Sequence, residues 1–413
     1  MSRKKLTIGL FGLGCVGFGL YEVLGKTPGL KASIKRICVK DPSKPRPIPA
    51  TQLTFNPNEI LDDPEINTVV ELIDDAQAAY YLVKTALQKG KAVVTANKKM
   101  IAEHFEELIH LQQKYNAPLL YEAACCASIP IIRNLEEYYD TDLLESIEGI
   151  VNGSSNFILT KTSEEAIPFQ QALSQAQHLG FAESNPYLDV SGLDAKYKLV
   201  LLLTHAFGLI VNPASVFHLG IDRLSEVEFS YAKEKGLKIK LIALAEKNSD
   251  GTINAFVLPK FISRRDKLYE VNDVFNGVKT KSHFSDTQFF MGKGAGAYPT
   301  ASAVLSDISA LTYDYRYEYK KRNHEERLQC DQKIYLKVFL RHHPKDRVHL
   351  NYYFDHLQES YLNQTTGYII GRVSLQQLKE INRLYGEAVS VVWMEDAYVP
   401  NATPLEALGY ELA

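Results

Sequence analysis

The chain has 413 residues, 46% of them apolar and 23% charged, and a formal net charge of −3. This composition is typical of a globular protein with two or three domains. The near-neutral charge does not indicate binding to nucleic acid or to an acidic membrane surface. No stretch approaches the roughly 20 apolar residues of a membrane span, so we expect a small-molecule substrate and neither of those partners.

The cysteine pattern argues against a disulfide framework or a zinc site, because the five cysteines are an odd number and lack CxxC or CxxH spacing. They are Cys15, Cys38, Cys125, Cys126 and Cys330. The basic start of the chain resembles a signal peptide, but the apolar run after it is short, contains glycines and lacks a small-residue cleavage site. We therefore expect a reducing, cytoplasmic setting.

An apolar strand, 6–11, runs directly into a glycine-rich motif that a helix follows. The motif G-x-G-x-x-G contains Gly12, Gly14, Cys15, Val16 and Gly17. Gly12 permits the tight turn, Gly14 lets a pyrophosphate approach the backbone, and Gly17 lets helix and strand pack closely. The N–H groups at the helix start would bind the phosphates. The alternative is that the glycines only form a strand–helix turn.

The residues after the second predicted strand, 33–39, bear on the choice of dinucleotide. Lys40 comes first, with Lys44 and Arg46 within reach, and basic residues here accommodate the 2′-phosphate of NADP. A solvated basic loop is the alternative interpretation. Asp74 and Asp75 border the expected cofactor cleft and would repel a 2′-phosphate if they point inward, so NAD stays open.

Strands at 68–73, 91–95 and 119–122 alternate with helices at 76–89 and 101–115, which predicts a parallel, doubly wound sheet. Ligands bind such sheets at the carboxyl ends of the strands. The sequence Thr95-Ala-Asn-Lys98-Lys99 lies at such an end. Lys98 is therefore a candidate site residue, and Lys99 is expected to be its solvated neighbour.

The next strand end carries adjacent cysteines, Cys125 and Cys126. An acyl-thioester enzyme would use such a thiol, but it needs a positioned base, usually histidine, and none lies nearby in sequence. The sequence favours small buried cysteines instead.

The segment 176–198 mixes acids, lysines, glycines and an Asn-Pro turn at 185–186. A helix resumes at Gly192, and its Asp194 and Lys198 stand four apart on one face. Alternating acids and ammonium groups suit a zwitterionic substrate. The alternative is an exposed loop with an ordinary ion pair.

The other elements predict a mixed α+β domain and a small C-terminal module. Predicted strands are 145–159, interrupted at 152–154, then 239–246, 252–259, 268–274, 333–340, 347–354, 367–373 and 388–394. Predicted helices are 172–179, 301–311 and 374–385. The glycine-rich loop at 292–299 lacks the GK[ST] of a P-loop, and 314–332 is predicted to be a surface linker.

Together these motifs resemble the homoserine dehydrogenase family over essentially the whole chain. Every fixed position of the family signature is met: Ala176, Gly180, Phe181, Ala182, Asn185, Pro186, Asp189, Val190, Gly192, Asp194 and Lys198. The flanking motifs, in the family's order, are GxGxxG at 12–17, TANK at 95–98, NGSSN at 152–156 and GxGAGxxPTASAV at 292–304.

The resemblance implies NAD(P)-dependent, reversible reduction of L-aspartate 4-semialdehyde to L-homoserine, by a homodimer or homotetramer, in threonine, methionine and isoleucine biosynthesis. It implies a Rossmann-type doubly wound parallel sheet at 1–130 plus 297–325. A substrate-binding and dimerisation domain with an open sheet would span 131–296. A degenerate ACT-like module would span 332–413, where the usual D-x-P-G turn is absent.

The resemblance also implies residue roles. Lys198 matches the proton donor, Lys98 lies at the reacting centre, Asp189 supports proton transfer, and Glu183 and Asp194 contact the substrate. The cofactor contacts would be Gly12, Gly14, Cys15, Val16, Gly17, Lys40, Thr95, Lys98 and Gly296. A monovalent cation such as Na⁺ would be bound by Glu122 and the carbonyl groups of Cys125, Ala127 and Ile129.

The chemistry of these residue types agrees with the implied reaction. Hydride arriving at an aldehyde leaves negative charge on oxygen, which a nearby ammonium stabilises and then protonates. Two site lysines would also depress each other's pKa by repulsion. Two rival interpretations stay open: an acylating semialdehyde dehydrogenase using Cys125 or Cys126, and a non-catalytic NAD(P)-binding regulator.

Overall fold

The computed structural model describes residues 4–140, 143–182, 185–323, 328–330 and 334–394. In this part of the chain a parallel sheet of six strands lies in the N-terminal third, in the order β3-β2-β1-β4-β5-β6. Its strands are β1 Leu6–Phe11, β2 Ala32–Cys38, β3 Leu53–Thr54, β4 Thr68–Glu71, β5 Ala92–Thr95 and β6 Leu119–Leu120. The strand order reverses between β1 and β4, which is the switch point where doubly wound sheets bind dinucleotides. The predicted Rossmann-type sheet is confirmed.

Helices cover this sheet, so its central strands β4 and β5 are buried along their whole length. The helices of this part are α1 Cys15–Gly25, α2 Asn58–Leu61, α3 Ala76–Gln88, α4 Lys98–Tyr115 and α5 Ile131–Glu137. Helix α4 begins three residues before the predicted 101, because the Asn97 side chain accepts a hydrogen bond from the N–H of Met100 at 3.0 Å and caps the first turn. Lys98 therefore lies in a helical turn.

A second, mixed sheet of ten described strands follows, in the order β12-β11-β7-β9-β10-β16-β13-β15-β14, with β8 beside β10. Its strands are β7 Leu144–Ile150, β8 Phe217–His218, β9 Lys238–Lys247, β10 Ile253–Ile262, β11 Phe275–Ser282, β12 Asp286–Lys293, β13 Tyr335–His342, β14 His356–Leu362, β15 Gly367–Ser374 and β16 Ser390–Trp393. The accompanying helices are α6 Gly153–Glu164, α7 Phe169–His178, α8 Tyr187–Val190, α9 Leu193–Phe207, α10 Glu226–Glu234, α11 Ala297–Leu311, α12 Arg347–Asn351 and α13 Leu375–Tyr385. None of the described helices combines the length and apolarity of a bilayer span.

Helix α11 returns from the second sheet to the first. It packs against α1, where a side chain at Gly19 would meet the carbonyl group of Ala297 at 3.2 Å. Further along α11, the Asp307 carboxylate accepts the N–H of Glu122 at 2.9 Å. These contacts place α11 with the dinucleotide-type sheet.

Three predicted strand segments are wrong. Residues after Asn152 form helix α6, because the Asn152 side chain accepts the N–H of Ser155 at 2.7 Å and caps that helix. The segment 268–274 holds a short 3₁₀ turn that begins beside Asp266, and the strand starts at Phe275. The segment 347–354 contains helix α12, in which only Leu350 is buried.

The predicted surface linker at 314–332 is also wrong over its described first part. Tyr317 is 0% and Tyr319 3% exposed. The Tyr319 hydroxyl lies 3.0 Å from that of Tyr121, which in turn lies 2.7 Å from Nε2 of His205. This segment is therefore a buried aromatic crossing between the two sheets.

The C-terminal elements follow the order β13-α12-β14-β15-α13-β16 and form a four-stranded unit, β16-β13-β15-β14. Strand β16 also pairs with β10, through Lys260 and Trp393. The unit therefore continues the second sheet. Its ACT-like character stays a prediction.

Candidate active site

The glycine-rich turn after β1 has the geometry of a phosphate-binding loop. Gly12 has a φ of +93°, and a side chain there would collide with the carbonyl group of Leu72. A side chain at Gly17 would collide with the carbonyl group of Gly12, whereas the position above Gly14 is open. No described side chain caps the first turn of α1. The backbone N–H groups there are accessible to an anion.

The remaining residues of this motif lie at the same turn. Cys15 is the first residue of α1 and is exposed, and Val16 follows it half-buried. Gly296, with a φ of +118°, begins α11 where that helix packs on α1. The predicted glycine-loop residues and Gly296 therefore border the same region of the fold.

The basic loop after β2 is held by its own backbone contacts. Arg46 donates from Nη1 to the carbonyl groups of Asp41 and Lys44, at 2.7 and 2.8 Å. The Asp41 carboxylate accepts the hydroxyl and the N–H of Ser43, and these bonds lower its pKa. Lys40 and Lys44 are exposed. The loop thus presents lysines to solvent beside the end of β2.

Asp74 and Asp75, the two acids that would repel the 2′-phosphate of NADP, do not both point into the expected cofactor cleft. The carboxylate of Asp75 accepts the N–H groups of Gln77 and Ala78, both at 3.0 Å, and caps α3. Asp74 is exposed.

A buried glutamate that the sequence reading missed connects the ends of β4 and β5. Glu71 is 0% exposed and accepts the Thr95 hydroxyl at 2.5 Å and the N–H of Ile73 at 2.7 Å. Burial raises its pKa to about 7. The Thr95 oxygen also accepts the N–H of Asn97 at 3.0 Å. Glu71 thereby holds the loop that leads to Lys98. An acidic residue at the end of an apolar strand was the sequence feature that could have identified it.

Two lysines from separate helices meet at one carboxylate. Nζ of Lys98, in the first turn of α4, lies 2.9 Å from Oδ1 of Asp194, in the first turn of α9. Nζ of Lys198 lies 2.8 Å from Oδ2 of the same carboxylate. Lys198 also donates to the carbonyl group of Val151 at 2.7 Å. Lys98 is 36% exposed and Lys198 9%, so the cluster is open on one side only.

Asn152 holds the two aspartates of this cluster together. Its Nδ2 donates to Oδ1 of Asp189 at 2.8 Å and to Oδ2 of Asp194 at 2.7 Å. Burial, followed by the charge of Asp194, raises the pKa of Asp189 to about 6. Burial would also raise the pKa of Asp194, but the Lys198 and Lys98 ammonium groups hold it well below its ordinary value. At neutral pH Asp194 is therefore ionised.

The structure brings Lys98, Asp189, Asp194 and Lys198 together, and their catalytic and substrate-binding roles stay predictions. Glu183, the predicted substrate ligand, lies outside the described residues. The bridging role of Asn152 was missed, although NGSSN was recognised as a motif. An asparagine before a glycine at the start of a helix was the signal that could have found it.

The predicted cation ligands lie in the segment after β6. The Glu122 carboxylate is 2% exposed and accepts the N–H groups of Ile132 and Arg133, both at 2.9 Å. Burial, with the nearby Asp307, raises its pKa to about 8. The described residues contain no cluster of three or more His, Cys, Asp or Glu side chains that would bind a metal. Any ion here would depend on one carboxylate and backbone oxygens.

The backbone of this segment bends sharply between the carbonyl groups in question. Ala127 has a φ of +46°, and the Ile129 carbonyl accepts the N–H of Ile131 at 2.8 Å. Cys125 and Cys126 are 2% and 0% exposed. Burial raises the pKa of Cys126 to about 12 and holds that of Cys125 well above its ordinary value. Both are neutral thiols, as the buried-cysteine interpretation predicted.

Comparison with known proteins places this geometry in a family. A family model described as homoserine dehydrogenase matches residues 130–309, and one described as its NAD binding domain matches residues 12–122. The chain is 36% identical over 358 residues to the homoserine dehydrogenase of Helicobacter pylori, covering 85% of this chain and 81% of that protein. It is 34% identical over 360 residues to the Bacillus subtilis enzyme, covering 84% and 83%.

Solved structures agree with the sequence comparison. The crystal structure of a homoserine dehydrogenase from Thiobacillus denitrificans has a TM-score of 0.83 and 29% identity, covering 96% of this chain and 100% of that one. A hyperthermophilic archaeal homoserine dehydrogenase mutant, solved in complex with NADPH, has a TM-score of 0.64 and 27% identity, covering 76% of this chain and 100% of that one.

Proposed function

The chain belongs to the homoserine dehydrogenase family, and we propose that its Lys98–Asp194–Lys198 cluster interconverts L-homoserine and L-aspartate 4-semialdehyde. It is an oxidoreductase of the class that acts on CH–OH groups, with an NAD(P)-binding domain. The observation that carries the proposal is one buried carboxylate holding two ammonium groups, at 2.9 and 2.8 Å, beside the carboxyl edge of the dinucleotide-type sheet.

The residues around the glycine loop fit a dinucleotide. The open position above Gly14 and the uncapped first turn of α1 would hold its phosphates, beside Cys15 and Val16. Thr95, Lys98 and Gly296 are proposed as further contacts of the dinucleotide. When bound, the nicotinamide ring donates or accepts the hydride. We propose NADP as the preferred form, supported by exposed Lys40 and Lys44 and by Asp75 being engaged with its own helix.

Lys198 is the proposed proton donor. As an aldehyde is reduced, charge develops on its oxygen, and an ammonium group in a water-poor site stabilises that charge and then protonates it. The Val151 carbonyl and the Asp194 carboxylate restrict where the Lys198 ammonium lies. Lys98 supplies a second cation at the same centre.

The acids around the cluster suit the ammonium group of the amino acid. We propose that Glu183 and Asp194 bind the substrate and that Asp189 assists proton transfer. The shared Asn152 amide, at 2.8 and 2.7 Å from the two aspartates, keeps their carboxylates close without repulsion dominating, because it donates to both. The pKa of Asp189, near 6, also suits a group that exchanges protons near neutrality.

We further propose a monovalent cation site at Glu122 and the carbonyl groups of Cys125, Ala127 and Ile129. Burial, followed by the charge of Asp307, raises the pKa of Glu122, and an added positive charge there would favour the ionised carboxylate. Hard oxygen donors are the ligands that such ions prefer.

The domain division proposed is 1–130 plus 297–325, 131–296 and 332–413. The return of α11 to α1 supports the first of these units. The βαββαβ order of the C-terminal unit supports an ACT-like origin. We propose a homodimer or homotetramer working in threonine, methionine and isoleucine biosynthesis in the cytoplasm, a compartment in which the buried thiols of Cys125 and Cys126 stay reduced.

One assay tests the proposed reaction. Purified protein is mixed with L-homoserine and either NADP⁺ or NAD⁺, and reduced cofactor is followed by absorbance, with and without L-threonine. We expect homoserine-dependent reduction that is faster with NADP⁺ at limiting cofactor. No reduction with either cofactor would contradict the proposal.

A further inference from the structure

Helix α4, which begins at Lys98, bends at His104. The backbone of His104 has a φ of −122° and a ψ of 21°, outside the helical range, and the helix continues beyond it to Tyr115. Sharp bends in helices come from proline, from Gly/Ser pairs or from groups that press into the helix. Residues 98–115 contain no proline, glycine or serine. The bend therefore comes from the contacts that α4 makes with its neighbours.

The side chain of His104 lies against helix α3. Its ring stacks on that of Tyr80, with the ring centroids 3.8 Å apart and the planes inclined by 19°. Further along α4, Oε2 of Glu107 accepts the Tyr80 hydroxyl at 2.7 Å, and its Oε1 lies 2.8 Å from Nζ of Lys84. Tyr80 is 8% exposed, so its ring is packed rather than solvated. These contacts hold α4 to α3 at the bend and just beyond it.

Before the bend, α4 contacts a different helix. Lys98 forms its 2.9 Å ion pair with Asp194 at the start of α9. At the end of this first segment, Glu103 accepts the Tyr197 hydroxyl of α9 at 3.3 Å. The segment before the bend is thus tied to α9, whereas the bend itself is tied to α3.

The first segment of α4 acts as a lever on the position of Lys98. At about 1.5 Å per residue, residues 98–103 span about 9 Å. A change of about 10° in the bend would therefore shift the start of α4 by about 1.5 Å. A misplacement of about 1 Å at a reacting centre costs on the order of 10²-fold in rate. A small change at the bend is therefore large for the chemistry.

We propose that His104, stacked on Tyr80, is a positioning residue for Lys98. The stacked ring fixes the direction in which α4 leaves α3, and that direction brings the Lys98 ammonium to Asp194. His104 acts through Lys98 and not on the substrate itself. The inference rests on the proposed function, since the placement of Lys98 matters only if Lys98 takes part in the reaction.

Steady-state kinetics of homoserine-dependent NADP⁺ reduction test the proposal with two variants of His104. His104→Ala removes the ring and favours an unbent helix, so we expect kcat to fall about tenfold or more. NADP⁺ affinity, measured by fluorescence titration, should stay close to that of the wild type. His104→Phe keeps an aromatic ring for Tyr80 and should retain most of kcat. His110→Ala, at an exposed histidine of the same helix, is the matched control and should behave as the wild type does.

A double variant separates the positioning of Lys98 from a general loss of structure. Lys98→Ala combined with His104→Ala should be no slower than Lys98→Ala alone, because residues that act as a unit have non-additive effects. Losses that multiply in the double variant would overturn the proposal. If the rate of Lys98→Ala is too low to measure, the comparison of His104→Phe with His104→Ala decides.

Two further results would overturn the proposal: a wild-type kcat in His104→Ala, or an equal loss of kcat in His104→Phe and His104→Ala. All rates are compared at equal folded fraction, measured by thermal unfolding. If His104→Ala unfolds at the assay temperature, His104→Gln replaces it, since glutamine also lacks the ring but fills more of the space. A wild type that does not reduce NADP⁺ with homoserine would overturn the proposed function as well, whereas an active wild type matched by His104→Ala would contradict this inference alone.

Discussion

Lys98 and Asp194 form an ion pair of 2.9 Å although they begin two different helices, α4 beside the parallel sheet and α9 beside the mixed sheet. The pair closes the cleft between the two halves of the chain at one point. Asp194 uses its other oxygen for Lys198. This carboxylate therefore contacts both lysines and joins the start of α4 to the start of α9.

Asp194→Asn should lower turnover by about 10²-fold, because the two ammonium groups lose the charge that holds them in place. It should also destabilise the fold at neutral pH. The folded-state pKa of Asp194 lies below its unfolded value, so its contribution is present above about pH 4 and is lost as the pH falls through the folded pKa. Chemical denaturation at about pH 7.5 and about pH 2.5 measures the difference in stability between variant and wild type, which should be smaller at the lower pH.

Asp189→Asn removes a carboxyl group whose pKa shift is opposite to that of Asp194. The pKa of Asp189 is raised to about 6 in the folded state, so ionisation above that pH costs stability, and the cost disappears below the unfolded value near 4. The variant should be as stable as the wild type or more stable at pH 7.5. Equal losses for both variants at pH 7.5 would contradict the assignment of opposite pKa shifts.

Asn152→Ser separates the cap of α6 from the bridge between the aspartates. Serine still accepts the N–H of Ser155 as an N-cap, but it has no amide to donate to Asp189 and Asp194. We expect stability within about 1 kcal/mol of the wild type and turnover reduced about tenfold or more. Asn152→Ala should lose both the N-cap of α6 and the amide bridge, so both stability and turnover should fall. Unchanged turnover in the serine variant would show that the bridge is not needed.

The parallel sheet was predictable because its buried strands alternate with helices that have apolar faces, two of which are capped by Asp75 and Asn97. The mixed sheet was less so. Residues 347–354 include Val348 and three aromatic residues, types that favour strands, yet residues 347–351 form α12, in which only Leu350 is buried. Here tertiary contacts override local preference. Tyrosines alternate along 315–319 and could have indicated that one face of this segment is buried. The charged residues between them favoured the surface-linker interpretation instead.

The site was predictable where one residue type implies one chemistry. Lys98, Asp189, Asp194 and Lys198 carry charges in recognised motifs, and the structure brings them together. Asn152 and Glu71 act through neutral or buried hydrogen bonds instead. Such partners depend on which segments meet in space, and a sequence alone does not give those distances.

Lys40→Ala together with Lys44→Ala tests the preference for NADP. Removing two ammonium groups near the 2′-phosphate should raise KM for NADP⁺ by about tenfold, with little change for NAD⁺. Steady-state kinetics at low and moderate salt give both constants, and the effect should weaken as salt rises. Lys31→Ala, at an exposed lysine before β2, is the control. An unchanged ratio between the cofactors would exclude a role for these lysines.

Cys125→Ser and Cys126→Ser should retain turnover within about fivefold, because both thiols are buried and neutral. Each substitution buries a hydroxyl and should cost about 1–3 kcal/mol of stability. Activity is compared at equal folded fraction, measured by thermal unfolding. Loss of all turnover in a folded variant would favour a thiol mechanism.

Lys198→Ala tests the central claim most directly. Initial rates of homoserine-dependent NADP⁺ reduction by Lys198→Ala are compared with those of the wild type and of Lys99→Ala. In the wild type, Nζ of Lys99 lies 3.9 Å from Oε1 of Glu103 and does not contact Asp194. Cofactor binding is measured separately by fluorescence. The account predicts that Lys198→Ala loses about 10²- to 10⁴-fold in turnover while NADP⁺ affinity and the Lys99→Ala rate stay close to wild type. A near-wild-type rate in folded Lys198→Ala would contradict it.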